Sequence, residues 1–182
     1  MGRRNKGAEG NCANTVAREF VIVDSSGFPF FQKYHDGGYV LSHDRRPNVV
    51  LKDKGAARLY NLRNDLNKEL VCYPVDGGLI SSKDVSKCDF GIYSEDDLLV
   101  LVELKGADYN KALEQLLSTI DILLRNPSIP VSKVCTRVVL SRARVPDVLV
   151  TKEKKLKPMI EREYRGNHSK CSRQMDETLS NM

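Results

Sequence analysis

Hydrophobic positions along the chain change their spacing several times, and these changes predict an order of helices and strands. The first predicted element is a helix that begins near Lys54, because leucines recur there three or four residues apart. These leucines are Leu59, Leu62, Leu66 and Leu70. Three short, largely apolar runs follow and predict strands over residues 69–75, 87–93 and 98–105. The chain therefore opens its ordered part with a helix and three strands.

A second helix is predicted after Gly106, which breaks the third strand. Asp108 is placed to cap this helix, and a leucine-rich stripe extends it to about Leu124. Residues 131–140 are apolar and β-branched and predict a fourth strand, and a charged helix is predicted over residues 152–164, where Pro158 would kink it or delay its start. A strand that follows a crossover helix lies parallel to its neighbour. The order α-β-β-β-α-β therefore predicts an α/β fold with a mixed four-stranded sheet flanked by helices.

The third predicted strand carries the candidate chemistry. Residues 98–102 are all apolar, and the strand then ends with Glu103 and Lys105. Side chains two residues apart in a strand project from the same face, so these two charges would lie together. A buried charge without a partner is costly, and a charged end on a buried strand therefore indicates a metal or substrate site.

An acid on the preceding strand extends this candidate site. Asp89 would face Glu103 directly if the loop that joins the two strands has an odd number of residues. An even loop would place Asp89 opposite Val102, since a shift of one residue sends side chains to the other face. We predict the odd loop and therefore a pair of adjacent carboxylates with Lys105 beside them.

Two adjacent carboxylates repel unless one is protonated or a cation lies between them. Carboxylate oxygens suit Mg²⁺ or Mn²⁺, which also bind phosphate oxygens of a substrate. A divalent cation can activate water, and a neighbouring ammonium can stabilise the charge that develops on phosphate. The combination of acid, acid and lysine is therefore typical of phosphodiester hydrolysis.

These residues resemble the PD-(D/E)-x-K nuclease superfamily, which has the restriction-endonuclease-like fold. The resemblance covers roughly residues 54–140 and rests on four segments: Asp76-Gly-Gly, Cys-Asp89-Phe-Gly, Val-Glu103-Leu-Lys105-Gly and Ala112-Leu-Glu-Gln115. It implies cleavage of DNA, less often RNA, with Mg²⁺ or Mn²⁺. It also implies that Asp89, Glu103 and the main-chain carbonyl of Leu104 bind the metal, that Lys105 assists the water, and that Gln115 belongs to the catalytic site.

The sequence departs from the superfamily pattern at one position and leaves another undecided. Cys88 stands where a proline often precedes the first acid. The superfamily also often recruits an acid from an earlier element, and both Glu69 and Asp76 are candidates for that role.

Charge and composition add a preference for a polyanionic partner. The chain has 182 residues and a net charge of +5, and lysines and arginines are concentrated between residues 152 and 173. Such a basic segment suits nucleic acid, although a solvated lysine-rich helix has the same composition. No run reaches the roughly 18 apolar residues of a membrane helix. We therefore expect an intracellular, cytoplasmic protein with no membrane partner.

These observations predict a metal-dependent nuclease with a simple domain organisation. Residues 1–18 are expected to form a flexible segment, residues 19–166 a single nuclease-like domain, and residues 167–182 a flexible tail. The alternative is a catalytically silent protein of the same fold that binds nucleic acid or a partner protein. A homodimer is left open, because cutting both strands of a duplex generally requires two sites.

Overall fold

The fold of the protein comes from a computed structural model that describes residues 27–35, 39–52, 58–141 and 151–182. The segment predicted to be flexible, residues 1–18, lies outside the described residues. The helices are α1 (Pro29–Tyr34), α2 (Tyr109–Ile120) and α3 (Thr151–Tyr164). The strands are β1 (Ser42–Asp44), β2 (Asn48–Lys52), β3 (Leu59–Arg63), β4 (Leu70–Pro74), β5 (Phe90–Ser94), β6 (Leu98–Lys105), β7 (Lys133–Leu140), β8 (His168–Ser172) and β9 (Gln174–Thr178).

The main sheet has six strands in the order β1-β4-β5-β6-β7-β8. Its first half is antiparallel, whereas β6, β7 and β8 run parallel to one another. The predicted α/β class with a mixed sheet is confirmed at this level. The four predicted strands are β4 to β7, which lie side by side in the middle of the sheet, and β1 and β8 extend it to six.

A second, three-stranded sheet covers one face of the main sheet. Its order is β2-β3-β9, with β2 antiparallel and β9 parallel to the central β3. Side chains from both sheets form one apolar cluster, which includes Tyr60, Leu62, Ile92, Val100 and Val139. The small sheet therefore leaves only the opposite face of the main sheet for the helices.

The helices pack on that opposite face. Their buried side chains join alternate residues of β5, β6 and β7 in a second apolar cluster. The ring of Phe30 in α1 stacks on Tyr93 of β5 with 5.1 Å between the ring centroids. Asp108 caps α2 as predicted, because its carboxylate accepts the main-chain N–H of Lys111 at 2.9 Å. The helix ends at Ile120 and continues as one π-helical turn, Asp121–Arg125.

The helix predicted to begin near Lys54 is wrong. Leu59 and Leu62 lie in strand β3, Leu70 lies in β4, and Leu66 is exposed in the turn between them. Asn64 fixes this turn, since its side chain bonds both the main-chain N–H and the carbonyl of Lys68. Local amide bonding of this kind competes with helix formation. The leucine spacing matched a helix by coincidence, because the leucines belong to two strands and a turn.

The prediction of a flexible tail over residues 167–182 is also wrong. These residues form β8 at the edge of the main sheet, β9 in the small sheet, and a final 3₁₀ turn, Leu179–Asn181. Met175 and Leu179 are buried between the sheets. The segment is polar in sequence, but main-chain pairing with β3 and β7 fixes it in place. Within the described residues, no helix combines the length and the apolar character needed to cross a membrane.

Candidate functional site

The β5–β6 hairpin determines which side chains face each other at the candidate site. Phe90 pairs with Val102, and Ser94 pairs with Leu98, so the loop has three residues, Glu95–Asp97. The predicted odd loop is therefore confirmed. Asp97 has a positive φ of 58° in this loop, and it accepts a hydrogen bond from the Tyr93 hydroxyl at 2.6 Å. Continuing the register by one residue places Asp89 opposite Glu103.

Strand β6 and helix α2 bring three of the predicted residues together. Glu103 and Lys105 share the helix-covered face with Leu99 and Leu101, which pack against α2. The Nζ of Lys105 donates to Oε1 of Gln115 at 2.7 Å and lies 3.5 Å from Oε1 of Glu103. The lysine ammonium is thus held between the acid on its own strand and an amide from the helix.

Glu103 is almost completely buried, with 1% of the residue exposed. Within the described residues, its Oε2 has no hydrogen-bond partner. Burial and the nearby charge of Asp89 raise the pKa of Glu103 to about 8, although Lys105 opposes this shift. A buried polar atom without a partner costs about 1–3 kcal/mol. This oxygen therefore fits a position where a cation binds.

Asp89 and the Leu104 main chain provide oxygen atoms next to Glu103. Oδ2 of Asp89 accepts the Leu104 N–H at 2.7 Å. Because the N–H and the carbonyl of one strand residue point to the same side, the Leu104 carbonyl also faces β5. A continued ladder would give this carbonyl the N–H of Cys88, but that N–H donates to Oγ1 of Thr119 at 2.9 Å. Two carboxylates and a carbonyl form the all-oxygen set that Mg²⁺ or Mn²⁺ prefers.

Helix α2 also fixes the point where β5 enters the site. The side-chain amide of Gln115 donates to the Lys87 carbonyl at 2.7 Å, while its oxygen holds Lys105. Thr119 accepts the Cys88 N–H and donates to the Gln115 carbonyl at 2.7 Å. A proline before Asp89 would lack this N–H. The cysteine at position 88 therefore supplies a main-chain N–H that anchors the chain next to Asp89 to helix α2.

The structure separates the two candidates for an additional acid. Glu69 precedes Leu70, which pairs with Ser94 at the end of the hairpin remote from Asp89. Five residues of strand, at about 3.4 Å each, place Glu69 roughly 17 Å away from that end. Its carboxylate contacts His43 at 2.6 Å. Glu69 is therefore excluded as a ligand of the site.

Asp76 lies at the correct end of the sheet. The N–H of Val75 donates to the Asp89 carbonyl at 2.8 Å, and the Asp76 carboxylate lies 3.2 Å from Nζ of Lys87. However, nowhere in the described ranges do three or more His, Cys, Asp or Glu side chains converge closely enough to hold a metal ion. The candidate oxygen set is the Asp89 and Glu103 side chains with the Leu104 carbonyl, and Asp76 beside it is paired with Lys87.

A pocket beside the carboxylates was missed by the sequence reasoning. It has a volume of about 350 Å³. Its lining comprises Asp76, Lys83, Val85, Ser86, Lys87, Lys111 and Gln115. The signal that could have pointed to it is the pair of lysines four residues apart just before Asp89. Lys111 is brought to them only by the packing of α2.

Neither a protein-family model, nor a curated protein, nor a solved structure matches this chain. A function for this chain therefore has to follow from the residues and the geometry of the site.

Proposed function

We propose that the protein is a divalent-metal-dependent nuclease that hydrolyses phosphodiester bonds in nucleic acid, with DNA as the favoured substrate. The observation that carries this proposal is the state of Glu103. It is buried opposite Asp89 and 3.5 Å from the Lys105 ammonium, and one of its oxygens has no hydrogen-bond partner among the described residues. A carboxylate in such a position is suited to binding a cation.

The arrangement of the central strands supports a restriction-endonuclease-like core as part of the proposal. Strands β4, β5 and β6 are consecutive and antiparallel, and α2 then connects β6 to the parallel β7. This is the order that the superfamily resemblance implies from its first strand onward. The helix before the first strand is replaced here by β3 and a turn.

Each site residue has a distinct role in the proposed reaction. Asp89, Glu103 and the Leu104 carbonyl would hold Mg²⁺ or Mn²⁺. When bound, such a cation lowers the pKa of water and neutralises phosphate charge. Lys105 places its ammonium where it can stabilise the negative charge on the attacking or the leaving oxygen. Gln115 does not need to touch the substrate, because it orients the ammonium and the start of β5.

Protonation of Glu103 links the proposed activity to pH. With a pKa of about 8, its carboxyl group is largely protonated at neutral pH when no cation is bound. The group must lose this proton to act as a ligand, so cation binding is accompanied by proton release. The proposed activity is therefore expected to rise with pH between 6 and 8.

A cleavage panel with matched variants tests the proposal. Linear, circular, single-stranded and branched DNA and RNA are incubated with Mg²⁺ or Mn²⁺ and with wild type, Glu103→Gln or Lys105→Ala. We expect cleavage of at least one DNA substrate by wild type, suppression by EDTA, and loss in both variants. No cleavage of any substrate by wild type, or unchanged cleavage by both variants, would overturn the proposal.

One observation favours the second candidate, a silent protein that binds nucleic acid or a protein partner. The described part of the chain offers two side-chain ligands at the site and no cluster of three. Thermal unfolding with and without Mn²⁺ separates the candidates. Stabilisation by Mn²⁺ that disappears in Asp89→Ala supports the enzyme, whereas no response to Mn²⁺, together with salt-sensitive DNA binding, supports the silent binder.

A further inference from the structure

The pocket beside the carboxylates has more positive than negative charge. Three lysines and one aspartate line it. Asp76 already pairs with Lys87 at 3.2 Å, so its charge is balanced within the pocket. Lys83 has no ion-pair partner in the part of the chain that the structure describes. The pocket therefore presents uncompensated positive charge.

Lys111 adds to this surplus because its acidic partner is shared. The carboxylate of Glu114 contacts Nζ of Lys111 at 2.7 Å and Nζ of Lys152 at 2.8 Å. Hydrogen bonds from these two lysines and from Ser86 lower the pKa of Glu114 to about 2. One carboxylate thus faces two ammonium groups, and a second anion would be attracted to the same place.

Internal hydrogen bonds fix part of the pocket wall. The hydroxyl group of Ser86 accepts from Nζ of Lys111 at 2.9 Å and donates to Oε1 of Glu114 at 3.0 Å. Lys87 is mostly buried, and its ammonium is held by Asp76 and by the Ser82 carbonyl. Ser86 and Lys87 therefore shape the pocket, while Lys83 and Lys111 have ammonium groups that can contact a ligand. Ammonium groups are common ligands of phosphate oxygens.

Gln115 connects the pocket to the candidate site. Its side chain lines the pocket, and its Oε1 bonds the Lys105 ammonium at 2.7 Å. A single side chain therefore separates the pocket from the lysine that faces Glu103. A nucleic-acid strand with one phosphate at Lys105 would direct a neighbouring phosphate towards the pocket.

We propose that this pocket binds a backbone phosphate of the nucleic-acid strand, next to the phosphate that is cleaved, through Lys83 and Lys111. Only the identity of the ligand, a nucleic-acid strand, rests on the proposed function. The charge and shape of the pocket do not depend on a metal, so the pocket is expected to bind nucleic acid in EDTA as well.

The test measures binding of a fluorescein-labelled single-stranded oligonucleotide in EDTA by fluorescence anisotropy at several salt concentrations. Two double variants are compared with wild type. The pocket variant carries Lys83→Ala and Lys111→Ala. The control variant carries Lys155→Ala and Arg162→Ala, which remove the same charge from a separate pocket beside α3. Circular dichroism and thermal unfolding establish that both double variants fold.

We expect the pocket variant to bind at least tenfold more weakly at about 0.1 M salt. We also expect its slope of log affinity against log salt to fall by about 1 to 2, one per lost phosphate contact. The control variant should remain within about twofold of wild type. Equal weakening of both variants would overturn the proposal, because it would indicate a general charge effect.

Competition with inorganic phosphate identifies the source of the bound group. Orthophosphate that binds the pocket as tightly as the oligonucleotide would overturn the assignment to a nucleic-acid strand. The two proposals fail in distinguishable ways. If wild type cleaves with metal but the pocket variant binds as tightly as wild type, only the pocket assignment is wrong. If the pocket variant binds more weakly but wild type cleaves no substrate, only the proposed nuclease activity is wrong.

Discussion

Two glutamates on the helix-covered side of the main sheet are buried to the same extent but have opposite surroundings. Glu153 of α3 is 2% exposed and Glu103 of β6 is 1% exposed. The carboxylate of Glu153 lies 2.8 Å from Nζ of Lys157 and 3.2 Å from Nζ of Lys170. Glu103 has one ammonium at 3.5 Å, and its second oxygen lacks a partner in the described part of the protein.

The pKa values of the two carboxyl groups reflect this difference. Burial tends to raise the pKa of Glu153, but hydrogen bonds from Lys157 and Lys170 outweigh it and the net shift is downward. Burial and Asp89 raise the pKa of Glu103 to about 8. Burial alone therefore does not identify a functional acid. The distinguishing feature is a buried carboxyl group with a raised pKa and with one oxygen that has no hydrogen-bond partner among the described residues.

The largest expected difference between the two glutamates is in catalysis. Glu103→Gln removes a proposed metal ligand, and we expect metal-dependent cleavage to fall by at least about 10²- to 10³-fold, the scale for loss of one electrostatic group in a reaction site. Glu153→Gln should retain the rate of wild type within about threefold per folded molecule. The measurement is the initial cleavage rate with Mg²⁺ or Mn²⁺. Equal rates in the two variants would remove the distinction.

A smaller catalytic effect is expected at Gln115, which acts through Lys105. Gln115→Ala removes the bond to the ammonium and the bond to the Lys87 carbonyl, so we expect kcat to fall about tenfold. Ser118→Ala, one turn further along α2, is the matched control and should leave kcat unchanged. A changed KM with an unchanged kcat would argue against a positioning role.

The two glutamates should affect stability in opposite directions. Glu153→Gln leaves Lys157 and Lys170 without a charged partner. Since both lysines are partly exposed, we expect a loss of about 1–2 kcal/mol, less than for a fully buried pair. This corresponds to a decrease in Tm of several degrees. Glu103→Gln replaces a buried carboxyl group that is largely protonated at neutral pH, so it should leave Tm in EDTA unchanged or higher. Calorimetry with and without EDTA measures both effects, and a large decrease for Glu103→Gln would contradict the comparison.

A further expected effect is a change in the pH dependence of stability. The folded-state pKa of Glu103, about 8, lies above its ordinary value of 4.5, so the folded protein keeps a proton that the unfolded chain releases. Its contribution is fully present below pH 4.5 and is lost as the pH rises to 8. The advantage in Tm of Glu103→Gln over wild type should therefore grow between pH 5 and 8. A constant difference across this range would show that Glu103 does not hold a raised pKa.

His168 has the opposite pH dependence, but it does not disturb this test. Burial lowers its pKa to about 4 from 6.5, so its neutral form contributes stability that is lost as the pH falls from 6.5 towards 4. Its ring nitrogens contact the hydroxyl groups of Tyr109 and Thr136 at 2.9 and 2.8 Å. The same residue is present in wild type and in Glu103→Gln, so its contribution cancels in the difference.

The sequence predicted those features that depend on local signals. The apolar run of β6, the cap at Asp108 and the odd loop each depend on residues that are close together in the sequence. The position of Asp89 opposite Glu103 then follows from the geometry of a hairpin. The superfamily resemblance implies a role for Gln115, and the structure places its side chain beside Lys105.

Features that depend on distant contacts could not be predicted. Strand β3 pairs with β9 more than a hundred residues later, and this partner overrides the helical spacing of the leucines. Likewise, the pocket beside the carboxylates combines Lys83 with Lys111 from a helix that follows two more strands. Nor could the sequence predict that Glu153 is buried between two lysines, because the second of them, Lys170, lies in β8.

Binding of Mn²⁺ in isothermal titration calorimetry at pH 8 most directly tests the claim that Glu103 belongs to a metal site. The measurement compares wild type with Glu103→Gln and Glu153→Gln. We expect saturable binding to wild type and to Glu153→Gln, and none to Glu103→Gln. Equal binding by Glu103→Gln, or no binding by wild type, would contradict this claim.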